Sequence, residues 1–115
     1  MSKSTAITKE RAEEIIREMV QRIVEGFHPE LVALFGSHAR GSAGPDSDVD
    51  LLVIMPVNGS KRDLTIKIRQ ALAGMGLAKD VVVATPEEIA RYRDLVGTII
   101  YPAMHEGTIV YERSA

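Results

Sequence analysis

LFGSHARGSAGPDSDVDLLVIM, Leu34 to Met55, sets three aspartates within five residues and then runs directly into five apolar ones. Carboxylates at the mouth of a buried strand repel one another and resist burial, so a positive charge belongs beside them. Asp48 and Asp50 are two residues apart. On a strand they face the same side, with Cβ atoms roughly 6–7 Å apart. That spacing suits two carboxylates sharing a divalent cation, or bracketing a pair of cations about 3.5–4 Å apart. Asp46 keeps the alternation but follows Pro45 in a loop, where it caps or solvates the turn.

The preceding residues suit an anion. Leu31–Phe35 reads as a short strand, and Gly36-Ser37 turns it into one or two helical turns ending at Arg40. A glycine there lets a ligand approach the backbone, the new helix offers free N–H groups, and Ser37 adds a hydroxyl. Arg40, one turn on, returns to the same side with a guanidinium fork for phosphate oxygens. Two familiar phosphate loops do not fit. Gly36 and Gly41 have the P-loop glycine spacing, but Ser42 and Ala43 stand where lysine and a hydroxyl residue are required, and His38 occupies the second glycine of the dinucleotide fingerprint. A calcium EF-hand also fails, because Leu51 and Val57 replace its glycine and its bidentate glutamate.

Outward from this centre the pattern alternates helix and strand. Apolar residues at Ile15, Ile16, Met19, Val20, Ile23 and Val24 predict a helix from about Thr8 to Gly26, stopped by His28-Pro29. Val49–Met55 is uniformly apolar and predicts a central strand. Ser60 caps a helix striped by Leu64, Ile68, Leu72 and Met75 and closed by Gly76. Asp80 heads a third strand, Val81–Ala84, in the same posture as Asp48 and Asp50. If the two strands are neighbours, all three carboxylates converge at one end of the sheet. Thr85-Pro86-Glu87-Glu88 starts a helix running to about Val96, with breaks at Gly97 and Pro102. Gly107 ends the helical region and Thr108–Tyr111 is a last strand. The expected class is α+β, a small mixed sheet with helices mainly against one face.

With 115 residues the chain reads as one domain, 1–115, and its 45% hydrophobic and 26% charged residues fit an ordinary globular protein. A net charge of −2 argues against a protein held on polynucleotide phosphates. The absence of cysteine excludes disulfides and thiolate zinc sites. With neither a signal-peptide h-region nor a membrane-length apolar run, a cytoplasmic protein with no membrane association is expected.

Gly36-Ser37-x-x-Arg40-Gly41, five residues, then Ser47-Asp48-x-Asp50 resembles the signature of nucleotidyltransferases of the DNA polymerase beta superfamily. The resemblance is strongest to the minimal nucleotidyltransferases, which include antitoxins paired with HEPN toxins. It extends over the preceding helix, Asp80–Glu88 and Glu106–Glu112. It implies that Gly36, Ser37, Arg40, Gly41 and Ser47 bind the nucleotide and that Asp48 and Asp50 hold magnesium, as two ions. Asp80 would complete the metal site and help activate an acceptor hydroxyl. The implied reaction moves a nucleoside monophosphate, AMP from ATP, onto a hydroxyl. The motifs and their scaffold consume nearly the whole chain, so a partner, by resemblance a HEPN-type toxin, or a second copy would present the acceptor. Two other readings stay open: a non-catalytic antitoxin acting by occlusion, and a small-molecule nucleotidyltransferase working as an oligomer.

Overall fold

The computed structural model describes residues 8–44 and 47–114. Helix α1 (Lys9–Phe27) begins where the Thr8 hydroxyl accepts the Arg11 N–H at 3.1 Å. It ends at His28, whose left-handed backbone (φ 54°) returns its N–H to the Val24 carbonyl. Pro29 then prevents continuation. Strand β1 (Leu31–Phe35), the short helix α2 (Ser37–Arg40), strand β2 (Val49–Ile54), helix α3 (Lys61–Ala71), strand β3 (Lys79–Ala84), helices α4 (Pro86–Tyr92) and α5 (Ile100–Glu106), and strand β4 (Thr108–Glu112) follow.

The sheet order is β3-β2-β1-β4, with β2 and β3 parallel and the other pairs antiparallel. The apolar run of β2 therefore lies inside the sheet, where both of its faces are covered. Val49, Leu51 and Val53 turn one way, joining Val32, Leu34, Val81 and Val83 against Ile15, Met19 and Ile23 of α1 and Ile68 of α3. Leu52 and Ile54 turn the other way, joining Ala33, Phe35 and Ala84 against Ile89 of α4 and Ile100 and Ala103 of α5. Met19, Ile23, Leu51, Leu52, Ile68 and Leu72 are fully buried, and each such side chain contributes about 1.5–3 kcal/mol.

The mixed α+β class is as expected, but the arrangement of helices differs in one respect. The larger core does lie on one face, yet α4 and α5 cover part of the other, because helices of only seven residues each suffice. Several boundaries also move. Helix α3 ends at Ala71, short of Gly76, because Gly74 (φ 77°) and Gly76 (φ 98°) adopt a backbone that breaks the helix. Leu72 still reaches the core from the turn. Strand β3 starts early enough to contain Asp80. Helix α4 stops at Tyr92, and Pro102 falls in the first turn of α5, where its missing N–H costs nothing.

Two junctions fix α4 and α5. A Cβ on Gly107 would strike the Ala103 carbonyl and lie 2.9 Å from that of Leu34. Only glycine lets the end of α5 close so tightly onto β1. At the start of α4, Thr85 and Glu88 form a reciprocal capping box, at 2.9 and 3.1 Å. Glu88 also accepts a 2.7 Å hydrogen bond from Lys61 at the head of α3. That bond, then the Thr85 N–H, holds the Glu88 carboxyl below its ordinary 4.5. A lowered folded pKa means that the stabilisation is present above the unfolded value and is lost as pH falls through the folded one. Glu88→Ala is therefore expected to cost about 1 kcal/mol in urea unfolding at pH 7. The gap from the parent should narrow in acid, below the ordinary glutamate range.

Candidate active site

Parallel pairing of β2 with β3 sets Asp50 directly opposite Asp80. Both project on the α4/α5 face, since Leu52 and Ile54 follow Asp50 at two-residue spacing and Val82 and Ala84 follow Asp80. At this end of the sheet the cover is missing. Asp80 and Asp48 are exposed, and Asp50 is half-buried. Burial, then the charges of Asp80 and Asp48, push the Asp50 carboxyl above its ordinary 3.8, while His38 and Arg40 oppose the rise. The positive charge that the aspartates demand thus comes partly from α2.

Gly36 is what brings α2 so close. Its backbone (φ 75°, ψ −155°) is one that glycine alone adopts readily, and a Cβ there would collide with the Asp50 carboxylate. Any larger residue would displace either the carboxylate or the turn. The N–H groups of Ala39 and Arg40 donate to the Gly36 carbonyl at 3.1 and 3.2 Å. The first N–H groups of the helix, starting with Ser37, have no acceptor within it. Gly41 (φ 76°) closes the helix by returning its N–H to Ser37.

The loop that carries Asp48 is tied to α2 by contacts no motif announces. The Ser47 hydroxyl accepts the Gly44 N–H at 2.9 Å, and the Ser47 N–H donates to the Gly44 carbonyl at 3.2 Å. The Ser47 carbonyl faces His38 Nε2 at 3.3 Å. A carbonyl only accepts, so Nε2 is the donor. Ser47 thus shapes the loop with its side chain, and His38 links that loop to the Gly36-Ser37 turn. His38 sits between two glycines of the motif, and only the fold reveals its role. Asp46 lies outside the described residues.

The donor set fits a hard cation completed from outside. Among the described residues no three acidic or histidine side chains are gathered closely enough to enclose an ion. Asp50 and Asp80 oppose each other across one strand pair, with Asp48 within electrostatic range. Magnesium is usually held in this way, by one or two carboxylates with water and phosphate filling the remaining positions. A groove of about 540 Å³ between α1 and residues 41–44 contains none of these aspartates. It is lined by Lys9, Arg17, Leu34 and His38, among others, and reaches the loop from behind.

The profile of the nucleotidyltransferase domain family matches residues 10–106. No curated protein sequence matches the chain. Among solved structures, a candidate nucleotidyltransferase from Sulfolobus solfataricus superposes with a TM-score of 0.56 at 22% identity, over 97% of this chain and 91% of the other. A mutant of the MntA-HpeT toxin-antitoxin and a toxin-antitoxin with AMP-PNP each give a TM-score of 0.54, at 15% and 16% identity. Both matches cover 94% of this chain and 76% of the other. At these identities the likeness is one of fold. The family profile spans the helix before the motif, the Gly36-Ser37 turn and all three aspartates, and the chain belongs to the nucleotidyltransferase domain family.

Proposed function

We propose that the chain transfers AMP from ATP to a hydroxyl of a partner protein and that this partner is a HEPN-type toxin silenced by the modification. The observation that carries the reading is the juxtaposition of Asp50 and Asp80 against the Gly36 turn. In this reading the Gly36 turn binds the anion and the carboxylate pair beside it holds the cation, as a triphosphate requires. The partner class is supported by the fold shared with two toxin-antitoxin structures, one of them with AMP-PNP.

In this reading the N–H groups at Gly36 and Ser37, with the Arg40 guanidinium, take the outer phosphates. Gly41 and Ser47 hold the shape of the loop. Asp48, Asp50 and Asp80 would share the magnesium ions between them, and the metal would supply charge neutralisation on the triphosphate. The acceptor oxygen attacks the α-phosphorus in line, a new P–O bond forms, and the bond to the β-phosphate breaks to release pyrophosphate. Asp80, exposed at the sheet edge, receives the acceptor's proton. Positioning and electrostatics then account for most of the rate. A partner also has an apolar surface to meet on the α4–α5 connection, where Leu95, Val96 and Ile99 are exposed.

Incubating the chain with magnesium, ATP labelled at the α-phosphate and a co-purifying partner tests the proposal. Covalent label should appear on the partner and vanish with Asp48→Ala. A partner that binds tightly and is never labelled would make the protein an occluding antitoxin, and primer extension by the isolated chain would contradict the reading.

Asp50→Asn separates catalysis from folding. Loss of the carboxylate should reduce transfer about 10³-fold, the scale of several kcal/mol of charge stabilisation. A raised folded pKa means that ionised Asp50 costs stability once pH exceeds it and costs none below the unfolded value. The variant should therefore be unchanged or about 0.5 kcal/mol more stable at pH 7, solvent screening keeping the gain small. The difference should disappear in acid. A large loss of stability in thermal melts would make Asp50 a structural residue.

A further inference from the structure

A second cluster stands over the same face of the sheet. His105 Nε2 contacts both the Arg93 carbonyl and Asp94 Oδ1, each at 2.9 Å. Both partners are acceptors, so Nε2 carries the proton and the ring is fixed in orientation. The same ring stacks on Tyr101, with centroids 4.3 Å apart and planes inclined by 29°. Two aromatic rings locked in this way at an exposed position form a preorganised flat surface.

The topology sets that surface beside the carboxylates. Helix α5 packs on β1 through Ile100 and Ala103, on the face that carries Phe35, and Phe35 is the cross-strand partner of Asp50. The contact of Gly107 with the Leu34 and Ala103 carbonyls brings the last turn of α5 to the end of β1 from which the Gly36 turn departs. His105 lies in that turn. It faces α4 through Arg93 and Asp94, and α4 packs through Ile89 on Ile54 and Ala84, the β2–β3 side of the sheet. The Tyr101–His105 flank of α5 is therefore turned toward the β2–β3 side of the sheet, and the last turn of α5 lies near the end of β1 that pairs with Asp50.

We infer that the stacked Tyr101–His105 pair is the platform on which the nucleobase of the bound triphosphate rests. The inference deepens the proposed nucleotidyl transfer and rests on it. With the outer phosphates at Ser37 and the α-phosphorus at the aspartates, the base must leave the sheet end. The opposite side is closed by α1 and α3, which leaves the α4/α5 side. Stacking on a π-face tolerates any base, and the His105 side chain, stacked on Tyr101, is still 42% accessible.

Titrations of the full chain in magnesium with ATP, and separately with inorganic tripolyphosphate, test the assignment. The parent should bind ATP about 10-fold more tightly than tripolyphosphate, the scale of one base stacked on an aromatic ring. His105→Ala should remove that advantage and leave tripolyphosphate affinity unchanged. His105→Phe, which keeps a ring but not the hydrogen bonds, should retain most of it, and Tyr101→Leu should behave like His105→Ala. Equal weakening of both ligands by His105→Ala, or no weakening, would overturn the platform. A parent that binds both ligands equally would overturn the platform but leave the triphosphate site standing. A parent that binds neither would overturn the nucleotidyl-transfer reading as well.

Discussion

Two carboxylates facing each other across a pair of parallel strands are the constraint around which the rest of this fold is arranged. Nothing in the packing of β2 against β3 requires Asp50 opposite Asp80. Apolar residues at both positions would extend the core by one more layer. The chain instead accepts like charges there, and the surroundings limit the cost: exposure of Asp80, the Arg40 guanidinium of α2, and the backbone of Gly36 laid against the Asp50 carboxylate. On the proposed reading a bound cation would offset the remaining repulsion.

The unequal covering of the two faces follows from the same constraint. On the proposed reading, a site admitting a triphosphate and an acceptor hydroxyl needs the carboxylate end of the sheet open, whereas the opposite face carries the stability. Helices α1 and α3 bury the larger core, while α4 and α5, of seven residues each, cover the site face only in part. Gly107 holds α5 near the opening without closing it.

Most of this was legible from local chemistry. Ser60 and the Thr85-Pro86-Glu88 start each announced a helix, and each cap forms. The apolar run after Asp50 announced an inner strand, and its neighbour proved to be the strand of Asp80. What escaped the sequence depends on distance along the chain. The truncation of α3 reflects Gly74 and Gly76, whose positive φ ends the helix while Leu72 and Met75 still reach the core from the turn. The break at Gly97 (φ 105°) does separate α4 from α5, whereas Pro102 falls inside α5 and breaks nothing, because its missing N–H lies in the first turn. The His38–Ser47 and His105–Asp94 contacts join residues nine and eleven positions apart, outside any helical or strand period. Single histidines of this kind read as ordinary surface residues until the fold gives them partners.

The most direct measurement is a crystal structure of the chain with magnesium and a non-hydrolysable ATP analogue. A cation should lie between Asp50 and Asp80 with phosphate oxygens completing its shell, and the outer phosphates should rest on the Ser37 N–H. A nucleotide seated instead in the groove lined by Lys9, Arg17 and Leu34, with the aspartates free of metal, would contradict it.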